Sequence, residues 1–167
     1  MGVTVRKSYH IKDDFFSLVQ DDNLMANKEG KNYRPHFFFF ADQQTEGIYW
    51  AIPQSTKVEK YQTLIEQKIK KYGKCNTIVI GNFGGRDNAF LIQNMFPIIE
   101  KYVDHEHLIN GLSVNIHNTL SETIISNARQ VLSLYKKGHK LVFPDIDRIY
   151  NIMKEELQPK TVNSYKK

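Results

Sequence analysis

The chain has only one cysteine and no long apolar run, and both absences narrow the classes of protein it can be. Cys75 has no partner for an intramolecular disulfide, and a zinc site built from several cysteines is excluded. No apolar stretch approaches the roughly 20 residues that a membrane helix needs, and the polar residues near the start interrupt any signal-peptide core. We therefore expect a cytoplasmic protein with no membrane partner.

Length and charge suggest one domain with an anionic partner. A chain of 167 residues can bury one substantial core but is too short to make two domains the default. We predict a single domain over residues 1–158 and a basic, flexible C-terminal tail over residues 159–167. The net charge of +5 favours nucleic acid, although lysine-rich surfaces also occur in proteins without such a partner.

The hydrophobic pattern predicts an α+β fold with a largely antiparallel, strongly curved sheet and peripheral helices. Predicted strands, mostly paired as hairpins, cover residues 3–11, 36–41, 48–53, 77–80 and 89–92. Residues 95–103 and 108–116 are predicted to form strands or extended pieces. Predicted helices cover residues 13–18, 58–72, 120–137 and 145–157, and residues 21–34 are predicted to form a surface loop. Pro97 favours an edge position or a bend in its strand.

Two helix starts carry the spacing of a capping box. Thr56 with Glu59, and Thr119 with Glu122, each place a hydroxyl three residues before a glutamate, which predicts reciprocal capping of the first turn. Gly73 follows the helix of residues 58–72 and is expected to end it in a left-handed conformation.

Segments that suggest metal or nucleotide chemistry have simpler interpretations. The glycine-rich residues 81–86 lack the Lys-Ser/Thr pair of a phosphate loop, so a hairpin turn is the better interpretation. Residues 104–107 (Asp-His-Glu-His) lack a third ligand nearby in sequence and are more typical of a solvated polar patch. Asp145 and Asp147 fit a helix start. We predict no metal site and no cofactor.

The junction after the strand of residues 48–53 is the most informative segment. Ser55 and Thr56 precede a helix, where free amides and the helix dipole favour an anion. Lys57 opposes that dipole unless an anion lies nearby. Arg34 and His36 lie one hairpin arm away, so we expect both groups to meet at one edge of the sheet. A histidine there can transfer a proton near neutral pH, or it can be purely structural.

Four segments together resemble the type III toxin–antitoxin endoribonucleases, the ToxN/AbiQ family, and most closely its CptN branch. They are residues 9–11 (Tyr-His-Ile), residues 34–36 (Arg-Pro-His) before an aromatic strand, residues 48–61 with Pro-Gln-Ser-Thr-Lys at their centre, and residues 89–98. Their order and spacing run from near the start of the chain to about Ile98.

The resemblance implies a compact, barrel-like sheet similar to the Kid/MazF toxins. It also implies cleavage of RNA without metal, by attack of the 2′-hydroxyl on the adjacent phosphate, which leaves a 2′,3′-cyclic phosphate and a 5′-hydroxyl. It assigns catalysis to His36, Ser55 and Lys57. We also predict that the RNA is bound by Tyr9, Tyr33, Arg34 and Thr56. Some members have lysine at the position of His36 and threonine at that of Gln54.

The implied partners are RNA molecules. The family's inhibitor is a small structured RNA made from tandem repeats, which the toxin cuts and retains in a closed toxin–RNA complex. The implied target of the toxin is cellular messenger RNA, and the implied biological role is phage defence. Two other functions fit the same residues: a non-catalytic RNA-binding module, and a MazF-like nuclease with a protein antitoxin.

Overall fold

A computed structural model of the chain describes residues 2–159. One sheet contains the strands β1 (Lys7–Ile11), β4 (His36–Ala41), β5 (Ile48–Ser55), β6 (Val79–Phe83), β7 (Arg86–Phe90), β8 (Phe96–Ile99) and β9 (Val103–Glu106). Two short hairpins, β2–β3 (Lys28–Glu29 and Asn32–Tyr33) and β10–β11 (Leu108–Ile109 and Leu112–Ser113), stand apart from it. The helices are α1 (Asp13–Val19), α2 (Val58–Tyr72), α3 (Asn118–Lys136) and α4 (Ile146–Leu157). The predicted α+β fold with an antiparallel sheet is confirmed.

The sheet runs in the order β6-β7-β5-β4-β1-β9, and every pairing in it is antiparallel. The long strand β5 pairs with β8 through its first half and with β7 at its last two residues. Because β8 pairs with β5 alone among the described strands, Pro97 lies on an edge strand as its chemistry requires.

The two ends of the sheet approach each other without joining. The rings of Phe83 and His107 are 5.5 Å apart, and the β6–β7 turn packs against Ile109. Within residues 2–159, however, β6 and β9 form no ladder, so the sheet is not the closed barrel that the resemblance implied. The Kid/MazF likeness stays a prediction.

Side-chain alternation on β4 and β5 divides the interior into two main cores. Phe37 and Ile52 point to one face, where they pack with Phe90 and the apolar side of α3. Phe38 points to the other face, towards Phe96 and the helices α1 and α4. The four consecutive phenylalanines thus hold both faces of the central strand, which fixes the register of the β4–β5 hairpin.

Several local predictions were wrong. Residues 21–34 contain the hairpin β2–β3 rather than a continuous loop, and residues 108–116 contain the hairpin β10–β11 rather than one extended piece. The strand or extended piece predicted over residues 95–103 is broken by a 3-10 turn at Glu100–Tyr102. The tail predicted from residue 159 onward lies, apart from its first residue, outside the described part of the chain.

Both predicted capping boxes were also wrong. The cap of α2 is Lys57, one residue later than expected, because the backbone amide and hydroxyl of Thr56 bind Glu29 instead. The cap of α3 is His117, whose Nδ1 accepts from the amide of Thr119 at 3.2 Å. Gly73 does end α2, with a φ of 82°.

Candidate functional site

The end of β5 and the start of β4 lie side by side at one edge of the sheet. His36 pairs with Pro53, and the amide of Gln54 donates to the carbonyl oxygen of Pro35 at 3.0 Å. This pairing brings the Arg34–His36 segment next to Ser55 and the start of α2. The expected meeting of the two groups at one sheet edge is therefore confirmed.

Glu29 is bound at the centre of this edge, and the sequence reasoning missed it. Its Oε2 accepts from Ser55 Oγ at 2.6 Å, and its Oε1 accepts from the amide of Thr56 at 2.9 Å and from the Thr56 hydroxyl. The β2–β3 hairpin thus delivers a carboxylate to the junction between β5 and α2. Because residues 21–34 have little periodicity, only the tertiary pairing reveals this placement.

Arg34 completes the binding of Glu29 from the other side. Its Nη1 donates to Glu29 Oε2 at 2.9 Å and to the carbonyl oxygen of Gln54 at 2.8 Å, while its Nε donates to the carbonyl oxygen of Ala26 at 3.0 Å. The side chain is 5% exposed. The enclosed Arg34 guanidinium is fixed by these hydrogen bonds, and it links the β2–β3 hairpin to the end of β5.

The hydrogen bonds keep Glu29 ionised. Burial alone would raise the pKa of this carboxyl, but the hydrogen bonds from Ser55 and Thr56 and the charge of Arg34 lower its pKa to about 2. At neutral pH the junction therefore holds a negative charge in a group of donors. Hydroxyls, a backbone amide and a guanidinium arranged around an anion are also the donors that a phosphate oxygen accepts from.

Ser55 and Lys57 lie on either side of the turn into α2. Ser55 is buried, and its Oγ accepts from the amide of Lys57 at 3.1 Å while donating to Glu29. Lys57 itself is exposed. Its side chain is therefore accessible to an anion bound at the start of α2.

His36 lies in the interior rather than at the surface. The side chain is fully buried, its ring lies 5.5 Å from that of Phe96, and its Nδ1 is 3.1 Å from the carbonyl oxygen of Arg34. Since a carbonyl can only accept, Nδ1 carries the proton and Nε2 is the unprotonated nitrogen. Burial and then the charge of Arg34 lower the pKa of His36 to about 3. His36 is therefore neutral at physiological pH, and a titration near pH 6.5 is not expected from it.

The two tyrosines predicted to bind RNA differ in accessibility. Tyr9 is 2% exposed, packs edge-on against Phe38, and accepts a hydrogen bond from the amide of Thr4 at 2.8 Å. Tyr33 is 42% exposed and donates to Asp13 Oδ2 at 3.0 Å. Lys28 Nζ lies 4.7 Å from the centre of the Tyr33 ring. Of these two tyrosine rings only that of Tyr33 is accessible at the surface, with Lys28 over one of its faces.

Gln54 extends the site onto the opposite face of β5. Ser8 Oγ on β1 donates to Gln54 Oε1 at 2.5 Å, while Gln54 Nε2 is buried with no hydrogen-bond partner in the described part of the chain. Polar side chains therefore continue across the sheet from Ser55 towards β1.

A cleft of about 500 Å³ lies at the other end of β4 and β5. Its lining includes Phe40, Asp42, Trp50, Arg129 and Tyr150, none of which belongs to the Ser55 junction. Across residues 2–159 there is no cluster of three or more histidine, cysteine or acidic side chains suited to a metal ion. Over the same residues no helix has the length and apolar character to cross a bilayer.

Comparisons with known proteins find similarity in structure but not in sequence. No protein-family model matches the chain. No curated protein matches it either.

Two solved structures share the fold over nearly the whole chain. One is AbiQ, a lactococcal anti-phage endoribonuclease belonging to the type III toxin–antitoxin system, with a TM-score of 0.69 and 10% identity over 92% of this chain and 98% of that one. The other is ToxN, from the structure of a bacterial antiviral system regulated by a processed non-coding RNA, with a TM-score of 0.65 and 15% identity over 89% of this chain and 98% of that one. The chain thus has the fold of type III toxin–antitoxin endoribonucleases.

Proposed function

We propose that this chain is the toxin of a type III toxin–antitoxin system and that it cuts RNA without a metal ion. The observation that carries the proposal is the group of donors at the β5–α2 junction. Ser55, Thr56 and Arg34 converge on the carboxylate of Glu29, and Lys57 is exposed beside them. The fold shared with AbiQ, an endoribonuclease, makes an RNA phosphate the anion that we assign to these donors.

In the proposed reaction the 2′-hydroxyl loses its proton to solvent, and its oxygen attacks the adjacent phosphorus. The bond from phosphorus to the 5′-oxygen breaks, and that oxygen takes a proton from water. The products are a 2′,3′-cyclic phosphate and a 5′-hydroxyl. Lys57 stabilises the charge that develops on the phosphorane, and Ser55 with the amide of Thr56 holds a nonbridging oxygen. These donors are engaged by Glu29 in the free protein, so the phosphate has to replace its carboxylate.

The predicted catalytic role of His36 fits this reaction less well than the roles of Ser55 and Lys57. A proton-transfer group has to reach the substrate, and His36 is fully buried. We assign it the task of fixing the backbone of Arg34 through the bond to its carbonyl oxygen. In that role His36 keeps the Arg34 side chain directed at Glu29.

Binding of the RNA strand is assigned to the surface around the junction. The exposed ring of Tyr33 can stack on a base, and Thr56 and the Arg34 guanidinium contact the backbone once Glu29 moves. The buried Tyr9 contributes by supporting β1 rather than by touching RNA. The net charge of +5 adds attraction that depends on salt concentration.

The first test is cleavage itself. Purified protein is incubated with total RNA and excess EDTA, and the new ends are mapped. We expect 2′,3′-cyclic phosphate and 5′-hydroxyl ends. Binding without new ends would instead support a non-catalytic RNA-binding module, and loss of cleavage on chelation would contradict the metal-free reaction.

The second test concerns the partner. We propose an antitoxin made of tandem RNA repeats, which the protein cuts into units and retains in a closed complex, and messenger RNA as the cellular target. Short tandem repeats before the gene, whose transcript blocks cleavage in vitro, would support this. A small upstream reading frame whose protein product blocks cleavage would instead favour a MazF-like system.

A further inference from the structure

Tyr61 lies one turn into α2, on the side of the helix that faces the sheet. Its backbone amide donates to the carbonyl oxygen of Lys57 at 3.3 Å, so the two residues follow one another along the same side of the helix. The side chain is 5% exposed and packs in a small third core with Ile78, Ala89 and Leu91. The sequence predicted Tyr61 only as a packing residue in the apolar stripe of α2.

The core around Tyr61 lies against Ser55. Ser55 and Ala89 pair directly across β5 and β7, and side chains paired in this way point to one face of the sheet, with Cβ atoms roughly 5 Å apart. Tyr61 packs in the core that contains Ala89. The aromatic ring therefore reaches the sheet on the same face of β5 from which Ser55 contacts Glu29.

The same core borders the segment that holds Arg34. Met25 packs against it, and the carbonyl oxygen of the next residue, Ala26, accepts from Arg34 Nε at 3.0 Å. Burial raises the pKa of Tyr61, and the charges of Arg34 and Glu29 act on the phenol in opposite directions. Tyr61 thus lies beside the ion pair of the junction, and its phenol keeps its proton at neutral pH.

The Tyr61 hydroxyl makes no hydrogen bond within residues 2–159. In the same part of the chain, the side-chain atoms that are both sealed from solvent and without a partner belong to other residues, among them His36 and Gln54. The Tyr61 oxygen is therefore open to solvent, although nearly all of its ring is covered. A ring held in a core with an unpartnered O–H at the surface offers a donor to a ligand.

We propose that the Tyr61 hydroxyl donates a hydrogen bond to a nonbridging oxygen of the same RNA phosphate that Ser55 and Lys57 hold. The inference rests on the proposed function. When the phosphate replaces the carboxylate of Glu29, the phenol is a further donor beside Ser55 Oγ and the amide of Thr56. Tyr61 is then a catalytic residue that stabilises the charge developing on the phosphorane and transfers no proton.

The surroundings of the ring make it a preorganised donor. A tyrosine has few side-chain torsions, and packing with Ala89 and Leu91 restricts them, so binding RNA orders little more of this side chain. Lys60 Nζ lies 5.3 Å from the centre of the ring and adds positive charge beside the phenol. The hydroxyl is thus in place before the phosphate binds.

The test is Tyr61→Phe, with Tyr72→Phe as the matched control. The first variant removes only the hydroxyl and keeps the packing, and the second removes an exposed hydroxyl about three turns further along α2. We expect Tyr61→Phe to cut an all-ribose RNA roughly 10²-fold more slowly in single turnover. Its melting temperature should match the parent's, and its affinity for a 2′-deoxy RNA should fall far less than its rate. Tyr72→Phe should match the parent in all three measurements.

Sulfur substitution in the RNA identifies the contact itself. Two RNAs carry sulfur at one or the other nonbridging position of the cleaved bond, and sulfur accepts hydrogen bonds more weakly than oxygen. One of these substitutions should slow the parent and Tyr72→Phe more than it slows Tyr61→Phe, because that variant has already lost the donor. Equal sulfur effects in all three proteins, for both RNAs, would contradict the contact.

The remaining outcomes separate this inference from the proposed function. A Tyr61→Phe protein that melts normally and cuts at the parent rate would overturn the role of Tyr61 and leave the nuclease intact. A marked loss of stability would show that the hydroxyl has a partner inside the protein, which also overturns the inference. A wild-type protein that cuts no RNA would overturn the proposed function first, and this inference with it.

Discussion

Glu29 Oε2 accepts a hydrogen bond from Ser55 Oγ at 2.6 Å, so the β2–β3 hairpin places its carboxylate on the hydroxyl that we assign to a phosphate oxygen. The same carboxylate carries an ion pair to the nearly buried Arg34. The free protein therefore stabilises its anion-binding donors with an internal anion, and RNA has to compete with it.

Glu29→Gln should separate these two effects. The neutral amide keeps the shape but removes the negative charge, so we expect tighter binding of a 2′-deoxy RNA, by roughly tenfold or about 1.4 kcal/mol. We also expect the free energy of unfolding to fall by about 1–3 kcal/mol, because Arg34 loses its buried partner. Glu46→Gln, at an exposed position, is the control. Unchanged RNA affinity in a less stable Glu29→Gln protein would make Glu29 purely structural.

Lys57→Ala should lower the cleavage rate far more than the affinity for RNA. The ammonium group acts on charge that exists only in the transition state, so a loss of roughly 10²–10³ in single-turnover rate is expected. Lys70→Ala removes the same charge from an exposed position near the other end of α2 and controls for general electrostatic attraction. Equal losses in rate and affinity would make Lys57 a binding residue only.

His36 should affect the pH dependence of stability. Its pKa is about 3 in the folded protein against about 6.5 when unfolded, so the unfolded chain binds the extra proton between these values. Its contribution is complete above pH 6.5 and is lost as the pH falls towards 3. His36→Leu replaces this buried side chain with one that does not titrate. The substitution should therefore reduce the difference in unfolding free energy between pH 7 and pH 5. His10 contributes in the same direction, so the comparison is with the wild type rather than with a flat profile.

A His36→Leu protein whose stability varies with pH as the wild type's does would contradict the assigned pKa. Since His36 is neutral at neutral pH, the same variant should keep the pH–rate profile of the wild type. A lost inflection near pH 6.5 would instead return His36 to the catalytic role that the sequence suggested.

Gly84→Ala tests the contact between the β6–β7 turn and the β10–β11 hairpin. Gly84 has a φ of 64°, and a Cβ there would lie 2.1 Å from Ile109 Cδ1. Gly85 has a φ of 95° with open space around it, so Gly85→Ala measures backbone strain alone. We expect each to lose about 1–2 kcal/mol of stability from strain, with a further loss for Gly84→Ala. Equal melting temperatures would mean that Ile109 moves aside freely.

The sequence predicted the elements that its own periodicity dictates. Local patterns predict the apolar stripe of α2, with Gly73 at its end, and the aromatic strand β4. The structure contains both elements. The edge position of Pro97 follows from its missing amide hydrogen. Because such signals lie within a few residues of one another, they need no knowledge of distant contacts.

The predictions that were wrong concern residues whose contact partners lie far away in the sequence. Thr56 does not cap α2 because Glu29, 27 residues earlier, takes its amide and hydroxyl. His36 was given an ordinary pKa because the sequence does not reveal that Phe16 and Phe96 enclose it. The same limit hid that His10 joins the polar patch predicted at residues 104–107, with its Nε2 2.8 Å from His107 Nδ1. Local capping and titration rules hold only until tertiary contacts supply stronger partners.

Two RNA oligonucleotides of the same sequence distinguish metal-free cleavage by the 2′-hydroxyl from other routes. One is all ribose, and the other carries a single 2′-deoxy substitution at the nucleotide before the cleaved bond. Both are incubated with the protein in excess EDTA, and the products are weighed by mass spectrometry. We expect the first RNA to yield a 2′,3′-cyclic phosphate and a 5′-hydroxyl end, and the second to remain uncut at that bond. Cleavage of the 2′-deoxy bond, or 5′-phosphate ends from either RNA, would contradict it.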